Sequence, residues 1–145
     1  ISSTFWTERI GPTAALKTLE VMNEIKSWEI ITEIGNKVRS GWKAIAENHN
    51  LDISISGIPS ISSYVFNSPN SLSYKTLITQ EMLKKGFLAS TNFYACIAHD
   101  DSKIESYFNE LDNVYNIISK CEKGALNIEN LLDGPVCHSG FERLN

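Results

Sequence analysis

The stretch Ile53-Ser54-Ile55-Ser56-Gly57-Ile58-Pro59-Ser60-Ile61-Ser62-Ser63-Tyr64-Val65-Phe66 decides the fold of this chain. Apolar residues alternate with small or polar ones on both sides of an interruption, and a period of two is typical of strands. Gly57 and Pro59 mark the interruption as a turn. We therefore expect two short strands, over about residues 53–56 and 60–67, and a closing turn at residues 67–70.

Helical spacing replaces this alternation upstream of the strands. One apolar stripe runs from Ala15 to Ile25 and a second from Ile31 to Ile45, in steps of three and four residues. The stretch 26–29 between the stripes predicts a helix break with Ser27 as the N-cap of the second helix. This second helix is expected to end near residues 48–50, because asparagine tolerates a left-handed C-cap.

Downstream, two further helices and some short strands are predicted. A helix over about residues 73–85 ends at Gly86, and residues 87–89 and 93–98 are expected to form one or two more strands. The last helix begins after Asp100, where Ser102 has capping-box spacing to the glutamate three positions later. The residues expected to face the core are Leu77, Ile78 and Met82 in the third helix and Ile104, Phe108, Leu111, Tyr115 and Ile118 in the last.

Runs of helix around a small sheet, without regular alternation of strand and helix, predict the α+β class. We expect a small, largely antiparallel sheet of about three to four strands with helices packed on one face. Residues 125–145 show no pattern beyond one helical turn near residues 128–132. The expected organisation is therefore one domain over residues 1–124, including its N-terminal linking helix, and an irregular tail over residues 125–145.

Composition excludes several classes of function. The formal net charge of −4, and the absence of any basic cluster longer than Lys84-Lys85, argue against nucleic-acid binding. No apolar run is long enough to cross a membrane. The three cysteines, Cys96, Cys121 and Cys137, have neither zinc-site nor CxxC spacing. We interpret them as reduced thiols of a cytoplasmic protein, and expect Cys96 and Cys121 to be small buried side chains.

The segment Ser2-Ser3-Thr4-Phe5-Trp6-Thr7-Glu8-Arg9 leads directly into the helix that begins near Ile10. The first turn of a helix offers unpaired backbone N–H groups and the positive end of the helix dipole. Short hydroxyl side chains at this position favour a phosphate-binding site. The sequence therefore predicts an anion site here, where Trp6 is either a ligand contact or a packing residue of the helix entry.

The histidines favour structural roles. His49 lies at a predicted helix end, where a capping or solvent-exposed role is favoured over catalysis. His99 stands beside two aspartates but lacks the further ligands that a metal requires, so a structural histidine beside capping carboxylates is favoured. Cys137 and His138 are adjacent in sequence, and adjacent side chains rarely have the geometry of a nucleophile and its base.

The opening of the chain resembles a known family. Ser3-Thr4-Phe5-Trp6-Thr7-Glu8-Arg9-Ile10-Gly11-Pro12 and the following Ala14-Ala15-Leu16-Lys17-Thr18-Leu19-Glu20 are similar to the class III aminotransferases, fold-type I enzymes that use pyridoxal 5′-phosphate (PLP). Within this family, the glutamate-1-semialdehyde 2,1-aminomutase-like branch is the most similar. The likeness continues through residues 84–89 and 98–100 into the last helix, and covers roughly residues 1–123.

The resemblance implies that the chain is the C-terminal part of a longer enzyme, including its small domain. This part would pack on the large PLP-binding domain of the same enzyme and complete a homodimer. The resemblance also implies that Thr4 contacts the cofactor phosphate, with Ser3 as a second candidate, and that the substrate is a small amino acid or amino-aldehyde. In the family, the lysine that binds PLP covalently lies upstream, so no catalytic residue is assigned here and the isolated chain is expected to be inactive.

Two departures from the family bear on the substrate. Residues 92–97 contain no arginine of the kind that several members use to hold a substrate carboxylate, which favours the aminomutase-like branch. Glu8-Arg9 replaces the Asn-Pro that is more usual in the family.

The alternative to an enzyme portion is a non-catalytic binding or interaction module derived from the same domain, because the chain contains no complete active site.

Overall fold

The computed structural model describes residues 8–140. Their order is two helices, a hairpin, a helix, a short strand and a long helix, which confirms the predicted α+β class. The bounds are α1 (Ile10–Ile25), α2 (Ser27–Asn48), β1 (Ile53–Ile58), β2 (Ile61–Phe66), α3 (Ser71–Lys84), β3 (Asn92–Tyr94) and α4 (Asp101–Glu122), followed by a 3₁₀ turn at Ile128–Leu131.

Within the described residues the sheet has three antiparallel strands in the order β1-β2-β3. Ile58 of β1 pairs with Ile61 of β2, so Pro59 and Ser60 alone form the turn of the hairpin. Gly57 adopts a φ of 84°, a left-handed conformation that glycine accepts readily. A Cβ at Gly57 would lie 2.3 Å from the carbonyl oxygen of Ile61, so the close approach of the two strands also requires glycine.

The region predicted as further strands forms only one short strand. β3 pairs with β2 over Asn92–Tyr94, whereas residues 87–89 are not a strand, and this prediction is wrong. The reason lies at the end of α3. Gly86 has a φ of 85°, and the next residue, Phe87, donates its N–H back to the carbonyl oxygen of Met82 at 2.9 Å. The N–H of Phe87 is therefore not available to a neighbouring strand.

The core forms where α2, α3 and α4 cover one face of β2, as predicted. Tyr64 and Phe66 point into this core, with 0% and 4% of their surface exposed, whereas Val65 between them is 54% exposed. The ring of Trp42, in α2, packs on Tyr64 with centroids 4.6 Å apart. The ring of Phe66 contacts that of Tyr115, in α4, at 5.4 Å. The alternation along β2 therefore separates a buried aromatic face from a solvent-facing one.

The buried residues of these three helices follow the predicted stripes. The close packing of α2 on the hairpin depends on Gly35, because a Cβ there would lie 1.9 Å from the carbonyl oxygen of Pro59. No helix in the described part of the chain is long and apolar enough to span a bilayer. The buried stripe residues are Val38, Trp42 and Ile45 in α2, Leu77, Ile78 and Met82 in α3, and Ile104, Leu111, Tyr115 and Ile118 in α4.

α1 lies outside this core. None of its residues is buried, and the apolar stripe predicted for it is open to solvent, with Leu16 64% and Leu19 61% exposed. Lys26 separates α1 from α2 by adopting a left-handed φ of 50°. A lone helix of this length is marginal in water, and burying one such leucine contributes about 1.5–3 kcal/mol. The described residues therefore leave much of the apolar surface of α1 uncovered.

Two predicted N-caps are wrong. Ser27 is the first residue of α2, because the left-handed Lys26 occupies the cap position. Ser102 lies inside α4, and the N-cap is Asp100, which confirms the capping carboxylate predicted beside His99. The Asp100 carboxylate accepts the backbone N–H of Lys103 at 2.9 Å. Asp100 has an extended backbone that aims its side chain at the first turn, which the helical Ser102 cannot do.

The described part of the C-terminal tail packs against α3. The side-chain amide of Gln80 donates to the carbonyl oxygen of Leu131 at 2.9 Å. The same side chain accepts the N–H of Asp133 at 2.7 Å. The helical turn predicted near residues 128–132 is confirmed as the 3₁₀ turn at Ile128–Leu131.

Replacing the cap of α4 tests this assignment. Asp100→Ala is expected to lower the free energy of unfolding by about 1 kcal/mol, because it removes the acceptor for a first-turn N–H. Ser102→Ala is the matched control and should change the free energy by less than about 0.5 kcal/mol. Urea unfolding followed by circular dichroism measures both values. Equal losses in the two variants would contradict the assignment of Asp100 as the cap.

The buried tyrosines predict a loss of stability at alkaline pH. Burial raises the pKa of Tyr107 to about 12 and holds the pKa values of Tyr64 and Tyr115 well above their ordinary value. In the unfolded chain these groups lose their protons near about pH 10, while in the folded chain they keep them. The contribution of these tyrosines to stability is therefore fully present below about pH 10. It is lost as the pH rises from there through the pKa values of the folded chain, by up to about 1.4 kcal/mol per pH unit for each tyrosine.

Tyr115→Phe is expected to reduce the slope of this alkaline loss by up to about 1.4 kcal/mol per pH unit, because phenylalanine has no proton to lose. Urea unfolding of both proteins at several pH values between about 9 and 11 gives the two slopes. Identical slopes would show that Tyr115 does not contribute to the pH dependence of the free energy of unfolding.

Candidate functional site

The residues predicted to bind the cofactor phosphate, Ser3 and Thr4, lie outside the described residues. The structure describes the helix into which they lead. α1 begins at Ile10, and its N-cap residue, Arg9, makes no side-chain capping bond. The first turn contains no acidic residue. The N-terminus of α1 is thus not satisfied by its own side chains.

The backbone donors at this helix end fit an anion. Thr13 donates its N–H to the carbonyl oxygen of Arg9 at 3.0 Å, and Pro12 has no N–H. Ile10 and Gly11 therefore carry the donors that lack an acceptor within the helix. A Cβ at Gly11 would meet no described residue within 4 Å. Arg9 adds a positive charge to the positive end of the helix dipole, which is the donor set that a phosphate requires.

Two of the histidines have structural partners. His49 is the C-cap residue of α2, and its Nε2 lies 2.8 Å from Oδ1 of Asp112, in α4. His99 accepts the backbone N–H of Cys96 on its Nδ1 at 3.0 Å. Both arrangements agree with the predicted structural roles. Within residues 8–140, no group of three or more His, Cys, Asp or Glu side chains could hold a metal ion.

The cysteines are free thiols in different environments. Cys96 is exposed, so the prediction of a small buried side chain is wrong at this position. It follows the edge strand β3 in a surface turn, where no other element covers it. Cys121 is half-buried, and burial raises the pKa of its thiol.

A cavity of about 590 Å³ lies beside β3, between the loop after α3 and the first turns of α4. We call it the β3 cavity. Its volume and mainly apolar lining are typical of sites for small molecules. Asn92, His99 and Lys103 contribute polar groups to the lining. The apolar and aromatic part of the lining comes from Phe87, Leu88, Phe93, Tyr94, Ile104 and Tyr107.

The core holds the aromatic walls of the β3 cavity in place. Phe93 lies edge-on to the ring of Trp42, with centroids 6.4 Å apart. Tyr107 accepts a hydrogen bond from Nε1 of Trp42 at 2.8 Å, and its ring contacts Phe87 at 6.1 Å. Because Trp42 is fully buried, both walls are attached to the best-packed part of the domain.

His99 has the best-defined orientation of the polar groups in this lining. Its ring stacks on Phe93 with centroids 5.0 Å apart. The bond from the Cys96 N–H requires a lone pair on Nδ1, so the proton of the neutral ring is assigned to Nε2. His99, which belongs to the lining, therefore carries its hydrogen-bond donor on Nε2.

Lys103 contributes a charge that is already partly compensated. Its side chain pairs with the carboxylate of Asp100, and this hydrogen bond lowers the pKa of Asp100. Both side chains are exposed, so the pair adds little to stability. Taken with His99, the lining suits a ligand that has an apolar body and an oxygen acceptor such as a carbonyl or a carboxylate.

Sequence reasoning did not predict the β3 cavity. Its shape depends on how the loop after Gly86 lies against α4. Tertiary packing sets that arrangement, and no local sequence pattern indicates it. The signal nearest to it is the aromatic pair Phe93-Tyr94 followed by His99. The sequence alone predicts strand residues and a structural histidine at these positions.

The fold is that of an α+β domain in which helices cover one face of a small antiparallel sheet. A solved structure with a similar fold is the PLP internal aldimine form of the FumI protein of Sphingopyxis sp. MTA144, with a TM-score of 0.74 and 18% sequence identity. The similarity covers 91% of this chain and 32% of the FumI chain, so this chain spans about a third of its length. At this identity, the likeness establishes the fold alone. No protein-family model and no curated protein matches the chain.

The orientation of His99 can be tested directly. Long-range ¹H–¹⁵N spectra at about pH 8, above the ordinary histidine pKa, should show His99 protonated on Nε2 alone. The exposed His138, for which the structure gives no such partner among residues 8–140, should show a mixture of both tautomers. Protonation of His99 on Nδ1 would contradict the bond from Cys96 and remove the donor assigned to the cavity wall.

Proposed function

We propose that this chain is the C-terminal portion of a PLP-dependent aminotransferase or aminomutase of the glutamate-1-semialdehyde 2,1-aminomutase-like type. The observation that carries the proposal is the fold, which 91% of the chain shares with a protein solved in a PLP form. The motif over residues 3–12 supports it independently, because its likeness to the class III aminotransferases is one of sequence.

The exposure of α1 supports a place within a larger assembly. None of the residues of α1 is buried, although eight of them are apolar, and a lone helix of this length is marginal in water. We propose that the cover is the large PLP-binding domain of the same enzyme, and that two copies of the whole enzyme form a homodimer. The apolar stripe Leu16–Ile25 then becomes an internal contact instead of an exposed patch.

In this proposal, Thr4 and Ser3 hold the cofactor phosphate with their hydroxyl groups. The N–H groups of Ile10 and Gly11, which have no acceptor within α1, and the charge of Arg9 favour an anion at the same helix end. When bound, PLP supplies the electron sink that amino-group transfer requires. The lysine that binds PLP covalently belongs to the upstream domain, so the chain alone is inactive.

We propose that the β3 cavity contributes to the binding of a small amino acid or amino-aldehyde. The donor on Nε2 of His99 can bind a substrate oxygen, and the walls at Phe93 and Tyr107 can exclude water from its apolar part. The free thiols agree with an enzyme that works in the cytoplasm.

Substitution of Thr4 in the full-length enzyme tests the phosphate assignment. Thr4→Val should weaken PLP binding about tenfold or more, because a hydrogen bond to a charged group contributes about 1.5–3 kcal/mol. Fluorescence titration of the apoenzyme with PLP measures the affinity, and thermal unfolding without PLP checks that folding is unchanged. Ser3→Ala, measured in the same way, shows whether Ser3 shares this role.

Thr18→Val is the matched control. Thr18 lies on α1, where its hydroxyl bonds the carbonyl oxygen of Ala14 at 2.8 Å, so its loss should leave PLP affinity within about twofold. An unchanged affinity in Thr4→Val would remove Thr4 from the phosphate site. A full-length protein that does not bind PLP would contradict the proposed function and favour the non-catalytic module.

A further inference from the structure

The sheet ends in an open edge along β1. Among the described residues, β1 pairs with β2 alone, in an uninterrupted antiparallel register. In such a pair, the backbone N–H and C=O groups of successive residues point alternately toward the neighbouring strand and away from it. The N–H of Asn67 donates to the carbonyl oxygen of Asp52 at 2.9 Å, which fixes this alternation. The backbone groups of Ser54 and Ser56 therefore point toward β2.

Two residues of this edge have outward backbone groups without a described partner. The alternation directs the N–H and C=O groups of Ile53, Ile55 and Gly57 away from β2. The carbonyl oxygen of Gly57 is occupied, because Nη1 of Arg39, in α2, donates to it at 2.8 Å. No hydrogen bond from another described residue reaches the outward groups of Ile53 or Ile55. Each of these two residues therefore presents one donor and one acceptor at the edge.

β1 lacks the features with which natural sheets prevent the addition of another strand. Those features include charged side chains, proline and bulges within the edge strand. The sequence of β1 is Ile-Ser-Ile-Ser-Gly-Ile, and its register with β2 has no bulge. Ile53 and Ile55 pack against the core but are only half-buried. A strand laid along β1 would therefore satisfy backbone groups and cover apolar surface together.

The two ends of this edge carry opposite charges. Arg39 lies at the Gly57 end, and Asp52, whose side chain is exposed, precedes β1 at the other end. Neither takes part in the ion pairs found among residues 8–140. When a second copy runs antiparallel along the edge, the Asp52 end of each copy meets the Arg39 end of the other. The edge is thus complementary to itself in charge.

We propose that β1 pairs with β1 of a second copy of this chain, about a two-fold axis at Ser54. In this register, Ile53 of each copy lies opposite Ile55 of the other, and each such pair exchanges both of its N–H···O bonds. Asp52 of each copy lies beside Arg39 of the other. The two sheets become one, in the order β3-β2-β1-β1-β2-β3, with the helices of both copies on the same face.

A second copy fits this edge better than an unrelated strand. A two-fold contact uses the same surface on both partners, so one self-complementary edge is sufficient. The axis also produces the antiparallel orientation in which the opposite charges meet. The residue at the axis is small and exposed, since the Ser54 hydroxyl donates to Oδ1 of Asn67 at 3.0 Å on the outer side of the sheet. Two serines facing each other there leave the strands free to approach.

Hydrogen–deuterium exchange of the full-length protein, resolved to single residues, tests the pairing without any substitution. The amides of Ile53 and Ile55 should exchange more slowly as the protein concentration rises, because the second copy supplies their acceptors. The amides of Ser54 and Ser56 already bond to β2 and are the internal reference, so their exchange should change much less.

Sedimentation velocity of the full-length protein measures the association itself. Asp52→Lys should weaken the association about tenfold, because two symmetric ion pairs become like-charge contacts. The double variant with Arg39→Glu and Asp52→Lys restores opposite charges and should recover most of this loss. Glu105→Lys is the control, since it makes the same change of charge at an exposed position of α4, and it should leave the association unchanged. Thermal unfolding checks that each variant is folded.

Three results would overturn the proposal. The first is rapid exchange of the Ile53 and Ile55 amides at every concentration, which would show that the edge stays open. The second is slow exchange that neither dilution nor Asp52→Lys accelerates, which would show that another segment of the same polypeptide covers β1. The third is equal weakening by Asp52→Lys and Glu105→Lys, which would indicate an unspecific charge effect. A protein that fails to bind PLP can still associate through β1, so this proposal and the proposed function fail separately.

Discussion

The packing of Trp42 on Tyr64 is the contact on which the rest of this structure depends. With its ring centroid 4.6 Å from that of Tyr64 and 6.4 Å from that of Phe93, Trp42 connects α2 to two strands of the sheet. Its Nε1 donates to Tyr107 at 2.8 Å and so connects α2 to α4 as well. Truncating an aromatic side chain of this kind in a core costs about 3–5 kcal/mol. The same contacts hold the walls of the β3 cavity, so the stability of the domain and the shape of this cavity share one origin.

The domain combines this well-packed core with a helix that the core does not use. α2, α3 and α4 bury their apolar stripes, whereas Leu16 and Leu19 of α1 remain more than half exposed. The left-handed Lys26 makes the separation possible, because it turns α1 away from the line of α2. This distribution leaves an apolar surface on one side of the described domain. The proposed large domain of the same enzyme would cover this surface and leave the core unchanged.

Local pattern predicted the hairpin and the three packed helices because each depends on short-range chemistry. The Ile–Ser alternation, Gly57 and Pro59 were sufficient to place β1 and β2 almost to the residue. The caps were predicted less well. Ser27 and Ser102 have the right chemistry for an N-cap, but both lie inside their helices, whereas Asp100 has the extended backbone that a capping side chain needs. The strand expected at residues 87–89 failed for a similar reason, since the N–H of Phe87 is already bonded to the end of α3.

The sequence by itself determined the fold class, the apolar faces of the helices and the anion-favouring composition of residues 2–9, because periodicity and residue type act locally. Only the tertiary structure decided that the stripe of α1 is unburied and that Cys96 is exposed. It also decided that Arg39 meets Gly57 at the open edge of β1, although the two belong to different elements. Burial and contacts between side chains that are distant in sequence depend on how whole elements pack. A short window of sequence carries no information about the distances between those elements.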